Sequence, residues 1–376
     1  MNAEDSQNLA APVRTAGERL RVQNLLLGII AFAIVLFLLV QARFILISLA
    51  IAIILFSLTS DAINSIARLR IGSLRITNWV ASVAAVALIS GALLALSAVV
   101  LAQLNNVLSI TLSYADQGQR AVAELFSWMG QDVEAAVLNS MRSIEISGWL
   151  RSAAGQAGNL LSATVLVSLF VGFLFAERVW FSTKLVNLLG DEEKARRAGN
   201  IMGSITRRVN HYLLVKTAVS AVTGLMVWIV MMIFGLELAV AMGVLTFVMN
   251  YIPNIGSIIA TLLVTLVAYI QVDDLSTTLL LFILTAVIQF VNGNIIDPML
   301  MGRALRLSSF GIIISLAFWG AVWGVPGMFL SVPIMVALMI VCSHIPGLRP
   351  IAILLSREGL PDTEAPNPRA PRKPPG

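Results

Sequence analysis

Stretches without a single charged residue decide what this chain can fold into. They cover residues 25–40, 44–58, 78–101, 159–175, 217–236, 238–272, 275–296 and 307–343. A helix needs about 20 apolar residues to cross a bilayer's hydrocarbon core. Runs 78–101, 217–236 and 275–296 fit one crossing each, and 159–175 is at the short limit. Composition agrees: 58% of residues are hydrophobic and 12% charged, against about 45–50% and about 25% in soluble domains. A soluble enzyme so composed would expose large apolar patches and aggregate. The expectation is an all-α polytopic membrane protein with about eight membrane-embedded helical segments, some in broken or re-entrant hairpins.

Runs 25–40 and 44–58 are parted only by Gln41, Ala42 and Arg43, which predicts a tight helical hairpin with Arg43 at the far surface or snorkelling. The two longest runs are interrupted. Residues 238–272 contain Pro253-Asn254-Ile255-Gly256, and residues 307–343 contain Gly324-Val325-Pro326-Gly327. Proline removes a backbone donor and glycine loosens a helix. At membrane depth such breaks persist only where protein or a watery cavity satisfies the freed groups. Both runs therefore read as helix–break–helix hairpins, with Gly324, Pro326 and Gly327 as a candidate hinge.

The net charge of +5 would suit nucleic acid only if the basic residues formed one groove. Instead they sort by loop. With the N-terminus inside, segments 1–24, 59–77, 176–216, 297–306 and 344–376 hold 21 of the 25 Lys and Arg residues. Arg43, Arg120, Arg142 and Arg151 are the remainder. By the positive-inside rule this places both termini in the cytoplasm, and it leaves no nucleic-acid partner.

A membrane domain over 25–343 is expected, after a cytoplasmic segment at 1–24. Residues 104–157 form an external insertion, with Val122, Leu125, Phe126, Met129, Val133, Val137, Met141 and Ile144 at helical spacing. That face suits the membrane surface, the spans, or a partner. Residues 177–215 hold a cytoplasmic amphipathic helix. Asp191 caps its N-terminus, and Ile201, Ile205, Val209 and Tyr212 line one side. Arg196, Arg197, Arg207, Arg208 and Lys216 are available to anionic lipid headgroups. The tail, 359–376, has six prolines and reads as a disordered linker.

Enzyme and nucleotide motifs are absent, and so is any metal-ligand cluster. No catalytic residue, metal site or cofactor is expected. The lone Cys342 sits in an apolar run, and His211 and His344 lie at predicted membrane edges. What remains is the polar content of the apolar runs, which is costly in lipid and usually faces a bundle interior or a pathway. One cluster contains Asn250, Pro253, Asn254 and Gly256. The other contains Gln289, Asn292, Asn294 and, at its end, Asp297. Either they line a path for a solute or ion, or their amides bond neighbouring helices. Glu237 and Asp297 are the candidate coupling carboxylates. Glu237 also suits an outer-surface cap, and Asp297, before Pro298, also suits a helix end without an intramembrane partner.

At these clusters a family becomes recognisable. The stretches YLLVKT (212–217), FVMNYIPNIGSIIA (247–260) and NGNIIDPMLMGRALRLSSFGIIISLAFWGAVWGVPGMFLSVPIMVAL (292–338) resemble the autoinducer-2 exporter family of bacterial membrane proteins. The resemblance rests on Pro253 and Gly256, then on Asn294, Pro298, Met301, Gly302 and Arg303. It continues through Trp319, Gly320, Trp323, Gly324, Gly327, Met328, Val332 and Pro333. It implies a secondary transporter or exporter of a small solute, autoinducer-2 among them, with sodium–proton antiport as an alternative. It also implies a homo-oligomer, such as a pentamer, among membrane lipids. Arg303 would then sit at the cytoplasmic mouth. A non-transporting scaffold using 104–157 is the reading from a different class.

Overall fold

The computed structural model describes residues 11–68, 78–113, 136, 146–272, 274–301, 307–357 and 359. Helices carry almost all of them. In chain order they are α1 (Ala11–Gln41), α2 (Arg43–Arg68), α3 (Asn78–Ser113), α4 (Ile146–Glu177), α5 (Phe181–Leu189) and α6 (Glu192–Ile233). Then come α7 (Ala239–Met249), α8 (Ile255–Val272), α9 (Leu275–Val291), α10 (Asp297–Met301), α11 (Ser309–Trp323), α12 (Val325–His344) and α13 (Arg349–Leu355). Eight helical stretches among the described residues are long and apolar enough to cross a membrane, while α7 and α11 are shorter apolar helices. Leu25, Phe32, Phe37, Leu88, Phe173 and Leu262 all stand more than half exposed, as hydrocarbon-facing residues should. The expected all-α membrane architecture is what the chain forms.

Its centre is α6, a single helix of 42 residues, about 63 Å long at 1.5 Å per residue. Gly190, at φ 62°, ends α5, and Asp191 starts α6 by accepting the Glu193 amide at 2.8 Å and the Lys194 amide at 3.4 Å. The anticipated lead-in helix and the following span are thus one element. Its stripe of Ile201, Ile205, Val209 and Tyr212 packs against Val332, Val336, Met339 and Ile340 of α12. Helix α13 closes the same cluster with Ala352 and Leu355, held by the Ser308 amide donating to the Leu355 carbonyl at 2.8 Å. Helices α2, α3 and α4 form a second packed group around Ala52, Ile89, Val171 and Phe175.

Both predicted breaks are present. Helix α7 ends at Met249 and α8 begins at Ile255, with Asn254 at φ 61° between them. Helix α11 ends at Trp323 and α12 begins at Val325, turned at Gly324 with φ 65°. Two glycines let the chain close on itself there. A Cβ on Gly256 would lie 1.8 Å from the Met249 carbonyl oxygen, and one on Gly327 2.0 Å from that of Trp319.

Two expectations are corrected. Helices α1 and α2 are joined by Ala42 alone, and they make little contact with each other. Helical bonds flank the joint, Ala42 N–H to Leu38 O and Leu46 N–H to Ala42 O. The two helices meet only near this joint, so the pair is a splayed elbow, not a tightly packed hairpin. It bends around Trp323, whose indole donates to the Leu39 carbonyl at 3.0 Å. The short run 159–175 lies inside the 32-residue α4, because small and weakly polar residues on its N-terminal side continue the helix. Of the 104–157 insertion, residues 104–113 extend α3 and 146–157 open α4. The expected amphipathic stripe from Val122 to Ile144 lies outside the described residues, as do 1–10 and all of the proline-rich tail but Gly359.

The close approach at the α11–α12 turn sets a test. Gly327→Ala must push the turn apart, at a cost of about 1–3 kcal/mol. The expected result is a lower melting temperature in detergent, with Gly28→Ala, which meets nothing within 4 Å, as the neutral control.

Candidate functional site: a polar seam along α6

On α6, Tyr212, Lys216, Ser220 and Thr223 recur every three or four residues and so share one face. All four are buried. Each of the last three meets a polar partner from another element. Lys216 Nζ lies 2.7 Å from Asp297 Oδ2, with side chains only 6% and 17% exposed. Asn250 Nδ2 donates to Ser220 Oγ at 3.1 Å, and Asn292 Nδ2 donates to Thr223 Oγ1 at 2.5 Å. Thr223 gives its own proton to the Val219 carbonyl at 2.7 Å, so it must accept from Asn292. This fixes which way the Asn292 amide faces.

Helix α7 runs beside α6 because two glycines meet. A Cβ on Gly224 would stand 2.7 Å from the Gly243 carbonyl, and one on Gly243 3.0 Å from that of Gly224. That contact sets the register that places Asn250 on Ser220. It also places Tyr251, whose hydroxyl donates to Thr217 Oγ1 at 2.7 Å, while its ring stacks on Phe329 of α12 with centroids 5.5 Å apart. The first broken hairpin is thereby tied to the second.

Asn292 and Asp297 reach α6 together through a local irregularity. In an α-helix, residues five apart point about 140° away from each other. Residues Asn292–Ile296 instead form a π turn, and the Asp297 amide donates to the Asn292 carbonyl. The wider turn brings both side chains to the same side. Such π turns are frequent at functional sites.

Of the residues read from sequence, the fold gathers Asn250, Gln289 and Asn292 in the buried interior, with Asp297 partly buried at its edge. Pro253 and Gly256 shape the break beside them. Asn254 is exposed, and its carbonyl accepts from Ser257 Oγ at 2.8 Å; Asn294 is exposed and donates to its own helix at Phe290 O. Glu237 is exposed in the α6–α7 turn, where its amide donates to Gln271 Oε1 at 3.1 Å. Gly324 and Pro326 are exposed at the second break and Gly327 is buried. Arg303 lies outside the described residues.

Two expectations fail at the seam. Lys216 does not meet lipid headgroups, and Asp297 does not lack an intramembrane partner: they hold each other. Ser220 and Thr223 are not among the sequence candidates, and Lys216 is one only for headgroups, because small hydroxyls do not interrupt an apolar run. Their signal was the spacing 212, 216, 220, 223 in one helix. Among the described residues, no cluster of His, Cys, Asp and Glu is placed to hold a metal ion.

The model of the AI-2E family transporter matches residues 27–347, nearly the whole membrane domain. The chain belongs to the AI-2E transporter family. Individual relatives agree. The AI-2 transport protein TqsA of Escherichia coli K12 is 36% identical over 205 residues, 54% of this chain and 57% of its own length. A protein of Borreliella burgdorferi with a provisional transport name is 32% identical over 225 residues, 59% of this chain and 62% of its own. A further Escherichia coli K12 protein, YhhT, likewise provisionally named for transport, is 35% identical over 158 residues, 42% and 45%. The chain thus spans about half of the curated relatives it matches. As an AI-2E family member it is a multi-pass membrane protein of a transport family, and the seam lies inside the matched region.

The ion pair gives a sharp stability test. Removing one partner of a buried pair strands the other charge, at a cost of about 3–5 kcal/mol, whereas replacing both with apolar residues is far milder. Lys216→Met alone should sharply lower the melting temperature in detergent, and Lys216→Met with Asp297→Leu should recover most of it. A second test lies at the start of α9, outside the apolar runs. Hydrogen bonds from Thr277 and Ser276 hold the Asp274 carboxyl down to about 2 from its ordinary 3.8. The cap therefore contributes in full above pH 3.8 and loses its contribution as pH falls towards about 2. The melting difference between the wild type and Asp274→Ala should be constant from pH 7 to about pH 4.5 and shrink below that.

Proposed function

We propose that this protein is a secondary transporter, not an enzyme, moving a small solute across the bacterial inner membrane along the α6 seam. The observation that carries this reading is a row of buried polar side chains, Lys216–Asp297, Ser220–Asn250 and Thr223–Asn292, set between two broken helices inside the family's matched region. Buried polar groups in a membrane protein are costly and usually face a bundle interior or a pathway. TqsA carries an AI-2 transport name, which supports an autoinducer-2-like signal as the solute; export is the direction the family resemblance implies. The charge distribution supports cytoplasmic termini. The wide apolar flanks of α1, α3 and α4 suit lipid and a homo-oligomer, with a pentamer as the stoichiometry implied by the family resemblance.

Cation–proton antiport is the second reading, and one observation favours it. The Lys216–Asp297 pair sets a carboxylate inside the bundle, where a cation can replace the lysine as its counter-ion.

Flux in proteoliposomes loaded with autoinducer-2 tests the first reading. Asn250→Ala combined with Asn292→Ala should lower flux about tenfold, the effect of about 1.4 kcal/mol lost from the path, with assembly by size-exclusion unchanged. Unchanged flux overturns the site assignment. For the second reading, sodium pulses should dissipate a preset pH gradient in wild-type vesicles and fail to do so with Asp297→Asn.

A further inference from the structure

Helix α13 (Arg349–Leu355) is apolar on both sides. Its sequence is RPIAILL, and Ala352 and Leu355 are buried in the cluster shared with α6 and α12. On the other side Ile351, Ile353 and Leu354 are exposed, Leu354 by 67%. A helix without a polar face belongs in apolar surroundings on every side. Seven residues are also too few to hold a helix in water without packing. The protein covers one face, and something apolar must cover the other.

The position of α13 in the fold says what that is. Helices α11 and α12 form an antiparallel hairpin turned at Gly324, so Ser308 and His344 mark its open end. Helix α13 lies across that end. It leaves α12 through the turn at Ile345–Leu348 and returns to the start of α11. There Leu307 pairs with Ser356 in an antiparallel bridge, and the Ser308 amide donates to the Leu355 carbonyl. Gly311 gives Leu355 its room, since a Cβ there would stand 3.4 Å from Leu355 Cδ2. Helix α12 is mostly buried, but Leu338 and Val341 are exposed, and the same stride of three or four residues continues to Ile345 and Leu348, which are exposed too. The open face of α13 thus prolongs the outer apolar flank of the hairpin beyond the last turn of α12.

Charge frames this face. Arg349 opens the helix and Arg357, exposed, follows it. Among the described residues neither takes part in an ion pair. An apolar face with a guanidinium at each end matches the boundary of a phospholipid leaflet, where acyl chains meet phosphates. Water would leave Ile351, Ile353 and Leu354 unburied, and a protein surface would have to supply both an apolar patch and two anions.

We propose that α13 is an interfacial anchor. Its Ile351, Ile353 and Leu354 face sits in the bilayer boundary at the open end of the α11–α12 hairpin, with Arg349 and Arg357 on lipid phosphates. The strap that joins the two legs of the second broken hairpin is therefore itself seated in lipid. The inference needs the chain to cross a membrane and does not need it to carry a solute, so it is judged by lipid contact while the transport reading is judged by flux.

Spin labelling tests it. Cys342 is the single cysteine and is buried, so Cys342→Ser provides a background for Ile351→Cys and Leu354→Cys in the full chain. The labelled variants, checked for unchanged elution by size-exclusion, go into vesicles of phosphatidylcholine and phosphatidylglycerol. Relaxation is then measured with oxygen, which concentrates among acyl chains, and with a water-soluble nickel chelate. Leu262→Cys on the outer face of α8 reports lipid, and Glu192→Cys at the start of α6 reports water. Labels at 351 and 354 should respond more to oxygen than to nickel, as the Leu262 label does. Adding Arg349→Gln and Arg357→Gln should shift the ratio at 354 towards nickel, and an unchanged ratio overturns the phosphate contacts. A nickel response like that at Glu192 puts the face in water and overturns the anchor. Weak responses to both reagents mean that protein, such as a second copy of the chain, covers the face, which overturns it equally.

Discussion

Lys216 and Asp297 sit 2.7 Å apart in a bundle whose outer faces are leucine, isoleucine and phenylalanine. Neither charge could stay buried alone. Each therefore fixes the other's element: α6 must present its 212–223 face to the end of α9, and α9 must deliver Asp297 there. The two amide–hydroxyl pairs above depend on that alignment. So does α12, since the α6 stripe that packs on it begins one turn away at Tyr212.

Around this pair the helices divide the labour. Helix α6 is the unbroken spine, and the elements that bring the seam's partners to it or lock it against α12 are interrupted: α7–α8 at Asn254, α9–α10 at the π turn, α11–α12 at Gly324. Interruptions let short helices turn polar ends inward, where a straight span would present only its apolar flank. Tyr251 couples two of these elements by bonding α6 and stacking on α12. Helices α2, α3 and α4 form a largely separate apolar group, touching α6 through the Ser57–Asn210 hydrogen bond at 3.0 Å.

Much of this was legible in the sequence because the causes are local. Charge-free runs reveal spans, and Pro253, Gly256, Gly324 and Gly327 announce breaks by what they do to the backbone nearby. The burial of Asn250, Gln289 and Asn292 followed from their cost in lipid. The pairings were less accessible, because they depend on inter-helix register. Nothing within YLLVKT says that its lysine will meet an aspartate 81 residues away. Charge at the edge of an apolar run suggested a headgroup contact, and only the continuity of α6 moves Lys216 inside. The Ala42 elbow was misread because three residues look like a loop when the helical bonds around them are unseen.

The π turn at Asn292–Ile296 has a consequence for how this family member can change. It is one residue wider than an ordinary helical turn. Relaxing the π turn to ordinary winding at unchanged length would swing everything after it by about 100° around the helix axis. Asp297 would then leave Lys216 even though no residue had changed. Deleting one residue there would instead keep the face, because Asn292 and Asp297, then four apart, would stand about 40° from each other. The seam is thus specified by a winding as much as by its side chains, and a rewinding of this one turn would silence it while each named seam residue remained.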